Sequence, residues 1–159
     1  MLTHRDVIVA ATAALLTAAT VLAAQSPGKA PLRSTAFDWE KMEVQKTPVG
    51  EKRQVFDAPV ATLDRLECHI TTVNPGEQPH PPHQHPEEEL MLVKEGTLDV
   101  VQNGVRTQVG PGSVLFNASN EMHGFKNVGD KPATYFVVKW WSAGSGSTKP
   151  SGDGAAAAK

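Results

Sequence analysis

Residues 76–96 read GEQPHPPHQHPEEELMLVKEG. The run opens on turn residues, passes three histidines and three consecutive glutamates, and closes as an apolar strand at Glu95-Gly96. His83 and His85 are two apart, so on an extended segment both rings face the same side. Glu89 has the same parity, with one proline-marked bend between. Far along the chain, His123 follows a loop and precedes Gly124-Phe125-Lys126-Asn127. Imidazole is the commonest protein ligand for metals, and three of them with one carboxylate suit a divalent first-row metal. A lone histidine reads as a surface or core residue satisfied by hydrogen bonds. An H-x-H pair with a carboxylate four residues on says more, although such a string also arises by chance.

Around this run the hydrophobic period is two. From Thr62 to Val73, Leu63, Arg65, Glu67, His69 and Thr71 lie on one face, with Leu66, Cys68 and Ile70 on the other, until Asn74-Pro75-Gly76 stops the strand. Glu89–Val93 makes a second strand. Leu90 and Leu92 are apolar on one of its faces, Met91 and Val93 on the other, so it is expected to be covered on both sides, by a dimer partner or by N-terminal strands. Thr97–Gln102 and Val105–Val109 flank Asn103-Gly104, the strongest two-residue hairpin signal. Pro111-Gly112 turns the chain into Ser113–Phe116, and after Asn127-Val128-Gly129-Asp130 comes Ala133–Trp141. In that last strand Tyr135, Val137 and Lys139 alternate with Phe136, Val138 and Trp140. Six or more short strands separated by turns predict an all-β sandwich or barrel.

The 159 residues are enough for one domain. Apolar residues make up 40% and charged residues 20%, so most of the chain is expected to fold. Its 13 Gly and 12 Pro favour turns over helices. A net charge of −2 argues against a nucleic-acid partner, which calls for a basic excess. The single cysteine, Cys68, excludes an intramolecular disulfide framework and a cysteine-rich zinc site, and it reads as a small buried hydrophobe.

Both ends read as lying outside the fold. Val7–Ala24 is uncharged, follows His4 and Arg5 and ends in small residues, as a secretory signal peptide does. Residues 1–24 are assigned to it, with cleavage after Ala23 or Ala24 and a periplasmic or secreted product. A membrane enters only if the segment is retained, since its 18 apolar residues just span a bilayer. Residues 25–36 read as a linker and 37–141 as the barrel. Residues 142–159, SAGSGSTKPSGDGAAAAK, read as a flexible tail that cannot bury enough surface to order itself.

The two histidine regions resemble the two motifs of the cupin superfamily. Gly76, His83, His85, Glu89 and Gly96 match the first, with six residues instead of five between Gly76 and His83. Gly112, His123 and Asn127 match the second in frame, with Ala118 in place of its proline and Asn120 in place of its second glycine. Asn tolerates positive φ, so Asn120 still suits a tight turn. The resemblance spans about half of residues 37–141 and implies a small single-domain jelly-roll barrel. It also implies that His83, His85, Glu89 and His123 hold one metal.

Such a centre carries a net charge of about +1 and, if octahedral, leaves two positions open for a bidentate anion or for substrate plus O₂. Oxygen and nitrogen donors without sulfur fit Mn, Fe, Ni, Cu or Zn. The candidate catalytic residues are Glu121, as general base, and His80, as rim residue or proton shuttle. Glu87 and Glu88 are expected to be solvated, with Glu87 able to replace Glu89 if the bend differs. Met91, Val93 and Phe116 read as apolar pocket wall, and His69 as structural. Two functions stand: a metal-dependent dioxygenase, isomerase or decarboxylase acting on a small molecule, and a non-catalytic cupin binding a metal or small ligand. A homodimer is the default assembly.

Overall fold

The computed structural model describes residues 29–142. The expected signal segment, 1–24, and all of the expected tail beyond Ser142 lie outside the described residues. Among those described, no helix is long and apolar enough to cross a membrane.

Nine strands and one 3-10 turn, Trp39–Lys41, follow one another along the chain. They are β1 (Gln45–Thr47), β2 (Gly50–Ala58), β3 (Arg65–Val73), β4 (Glu88–Glu95), β5 (Leu98–Gln102), β6 (Val105–Val109), β7 (Val114–Asn117), β8 (His123–Asn127) and β9 (Ala133–Trp141). A six-stranded sheet runs in the order β1-β2-β3-β9-β4-β7 and a three-stranded one in the order β6-β5-β8, with every pairing antiparallel. The all-β architecture expected from the pattern, and the jelly roll that the resemblance implies, are the fold observed. Asn103 and Gly104 both take positive φ, +48° and +85°, as the two-residue hairpin between β5 and β6 requires. Asn120 sits at φ +59°, in the turn that leads to β8.

Register decides which face is inside. Val73, Ala133, Tyr135, Val137, Met91, Val93 and Leu115 from the large sheet meet Leu98, Val100 and Phe125 from the small one in a single core. Burying each large apolar side chain contributes about 1.5–3 kcal/mol. The odd-numbered residues of β3, β4 and β9 therefore point inward, and this corrects several expectations. Leu90 (37% exposed) and Leu92 (41%) are not covered by the N-terminal segment, which packs beside them: Phe37 on Phe56 and Trp39 on Phe136. Phe116 is no pocket wall. It is 53% exposed on the outer face, against Trp140. Met91 and Val93 do face inward, but as core. Cys68 is buried as expected, and burial raises its thiol to about 11.

Candidate metal centre

His83, His85 and His123 reach one place from two directions. The proline-rich loop before β4 carries the first two, and β8 starts with the third. A pair of main-chain bonds ties loop to strand: His83 N donates to His123 O at 2.9 Å, and His123 N to His83 O at 2.9 Å. Gly124 lets the loop come this near, since a Cβ there would meet Pro82 Cα at 2.9 Å. Asn120 N donates to His85 O at 2.8 Å, so the positive-φ turn fixes the second histidine. Below it Asn127, wholly buried, donates from Nδ2 to Val73 O and Lys131 O and accepts from Gly129 N, anchoring the far end of β8.

One donor atom from each of the three histidines lies within 4.8 Å of the other two. Ring centroids are 5.4 Å apart for His83–His85 and 4.8 Å for each of the other pairs. His85 Nδ1 is 2.9 Å from Glu87 O, and His123 Nδ1 is 2.8 Å from Glu121 O. A carbonyl only accepts, so both Nδ1 atoms carry hydrogen. His85 Nε2, His123 Nε2 and His83 Nδ1 are buried with no hydrogen-bond partner among the described residues. Burial pushes His83 down to about 4, with neighbouring rings adding to the effect, and burial lowers His80 and His123 too. Neutral imidazole is the form a metal takes.

Glu89, 4% exposed on β4, stands beside two of these rings. Its Oε2 is 3.6 Å from His85 Nε2 and its Oε1 3.9 Å from His123 Nε2. Asn117 Nδ2 donates to Oε1 at 2.9 Å, and Lys139 Nζ is 3.5 Å from Oε2. Burial would raise this carboxyl; the His85 ring and the Lys139 charge overcome it and hold it at about 2. The four residues named for a metal are thus brought together. His80 lies against them, its ring 4.2 Å from that of His83. Glu121 contributes its carbonyl to His123, while its side chain is exposed.

Other neighbours escaped sequence reasoning. Glu87 is not solvated, and Glu88 is half-buried. Glu87 is buried, its Oε2 3.2 Å from His85 Nδ1 and its Oε1 accepting from Trp141 Nε1 at 2.8 Å. Glu88 accepts from Trp140 Nε1. On the inner face of β3, Glu67 Oε1 is 2.8 Å from His69 Nδ1 and accepts from Gln54 Nε2 at 2.6 Å. The parity of Glu67, His69 and Lys139 with Tyr135 and Glu89 was the available signal. An open groove of about 690 Å³ lined by Trp39, Lys94, Glu95 and Thr134 lies at the opposite end of β4 and β9, and the histidines are not part of it.

Fold and site together define a jelly-roll barrel with a cluster of inward-facing histidines at one end. Residues 69–139 match the family model described as "Cupin domain", so this part of the chain carries a cupin domain. Solved structures share the fold. An RmlC-like cupin from Shewanella frigidimarina has a TM-score of 0.57 at 18% identity, over 70% of this chain and 95% of its own. The polyketide cyclase RemF from Streptomyces resistomycificus has 0.57 at 24%, over 68% and 80%. A predicted oxalate decarboxylase from Thermotoga maritima has 0.54 at 17%, over 67% and 99%.

Proposed function

We propose that the protein is an exported cupin that binds one divalent transition metal through His83, His85, His123 and Glu89 and acts there on a small molecule, as a dioxygenase, isomerase or decarboxylase. One observation carries this reading: a donor nitrogen from each of His83, His85 and His123 lies within 4.8 Å of the other two, and each of these rings holds a buried nitrogen with no hydrogen-bond partner among the described residues, a costly arrangement without an ion. The donor set fits Mn, Fe, Ni, Cu or Zn, all nitrogen and oxygen with no sulfur. When bound, such an ion supplies Lewis acidity toward an oxygen ligand. The chain does the rest. The carbonyls of Glu87 and Glu121 fix the tautomers of His85 and His123, Asn117 orients the Glu89 carboxylate, and the core beneath excludes water.

Elemental analysis of the chain purified without added metal or chelator tests the reading. We expect near-stoichiometric transition metal, and its disappearance in a His83→Ala/His123→Ala variant that keeps its circular dichroism. A wild type that stays metal-free after reconstitution contradicts it. Metal or ligand binding without turnover is the second reading, favoured by the exposure of Glu121, the expected general base, which meets the cluster through its carbonyl.

The same reading includes export, supported by residues 1–24 and checked by N-terminal sequencing of secreted or periplasmic material. It also includes a homodimer, because Leu90, Leu92, Val114 and Phe116 leave an exposed apolar outer face. Sedimentation should give a dimer that Leu92→Asp/Phe116→Asp converts to monomer.

A further inference from the structure

The inner face of β9 ends in a cation. Tyr135 and Val137, 1% and 2% exposed, lie in the core, and Lys139 follows them at the same spacing. Its register partners are Glu67 on β3 and Glu89 on β4, so it stands in the row that carries the Glu89 carboxylate. A lysine on a core-facing row loses hydration and has to be matched by a charge. Glu89 is its one carboxylate partner within 4 Å among the described residues, at 3.5 Å, a separation longer than a charge-assisted hydrogen bond. Glu67 shares its charge with His69 and Gln54. The Lys139 side chain is 25% exposed and open to a ligand.

Metal binding by Glu89, as proposed above, changes this balance. The carboxylate charge then goes to the ion, the centre holds about +1, and Lys139 adds another positive charge beside it. Two positive centres side by side in a half-enclosed site favour an anion between them.

We propose that Lys139 anchors the ligand: the site takes small carboxylates, one oxygen of which accepts a hydrogen bond from the Lys139 ammonium. This rests on the metal reading and narrows it to an acid substrate class. The competing role for Lys139 is that of a counter-ion to Glu89 and nothing more. The two roles differ in what loss of the charge does to anion affinity.

The test uses the full chain loaded with Co²⁺, titrated with malonate by calorimetry, with cobalt content and visible absorption recorded for each variant. Lys139→Met should hold cobalt at the wild-type ratio and bind malonate at least about tenfold more weakly, while Lys139→Arg stays within about threefold of wild type. Unchanged malonate affinity in a cobalt-loaded Lys139→Met overturns the proposal, as does a cobalt-loaded wild type that binds no malonate. If Lys139→Met and Lys139→Gln both lose cobalt while Lys139→Arg keeps it, Lys139 organises Glu89 and is not an anchor, which also overturns it. A wild type that takes up no cobalt instead removes the metal reading on which the proposal stands.

Discussion

The inner faces of β3, β4 and β9 change character along their length. At one end Val73, Val93, Ala133 and Tyr135 are almost fully buried and meet Leu98 and Phe125 across the barrel. A few residues along the same strands, the row reads Glu67, Lys139, Glu89 and then Asn117, with His69 beside it and three histidines above. The first region stabilises the fold by removing apolar surface from water. The second brings charges and unpartnered nitrogens into the same barrel, at a cost the first region offsets. A site placed this way is held by a rigid scaffold while adding little to stability itself, and the two ends should respond differently to mutation.

The largest stability effect is expected at the apolar end. Met91→Ala, which opens a cavity at a fully buried position, should cost about 2–5 kcal/mol in urea unfolding and leave metal stoichiometry unchanged in the folded fraction. A loss below 1 kcal/mol would show that this end is not the close-packed one. Asn127→Ala removes bonds to Val73 O, Lys131 O and Gly129 N and should cost about 1–3 kcal/mol by the same assay.

At the polar end the readout changes from stability to binding. Glu87→Ala removes the carboxylate beside His85 Nδ1 and should weaken metal affinity about 10–100-fold in competition with a chromophoric chelator, with a small change in melting temperature. Equal metal affinity would leave the Glu87 carbonyl as the sole support of that ring.

The smallest effect falls on neither end. Cys68 lies on the opposite face of β3, and its thiol is raised from 9.0 to about 11. The unfolded thiol ionises first, so the stability from burying it neutral is complete below pH 9 and is lost as pH rises from 9 through 11. Wild type should therefore lose stability relative to Cys68→Ala across that range. Parallel unfolding curves at each pH would contradict this.

Much of this contrast was legible in the sequence. The H-x-H-x-x-x-E string, His123 with Asn127 four residues on, the Asn103-Gly104 hairpin and the alternation of β3 and β9 led to the architecture and to the histidine cluster. What escaped has a common physical reason: alternation reports two faces without saying which is inside. Apolar Leu90, Leu92 and Phe116 stand on the outer face, while polar Glu67, His69 and Lys139 face the barrel. Strand β2 went unseen because GEKRQVFDA mixes polar and apolar residues, with Gln54 bonded to Glu67 across the sheet and a register shift between Gln54 and Phe56. Strand β8 is only five residues long, and the sequence pattern assigned no strand to it. Solvation of Glu87 was the default for three consecutive glutamates, and only the fold reveals that Trp141 reaches it.

The central claim is that the converging imidazoles hold a metal. X-ray absorption at the edge of whichever metal the purified full chain carries, or of cobalt after reconstitution, tests it most directly. The account predicts a first coordination shell of nitrogen and oxygen only, with multiple-scattering features of about three imidazoles at about 2.0–2.2 Å. A sulfur shell, or a spectrum with no imidazole scattering, would contradict it.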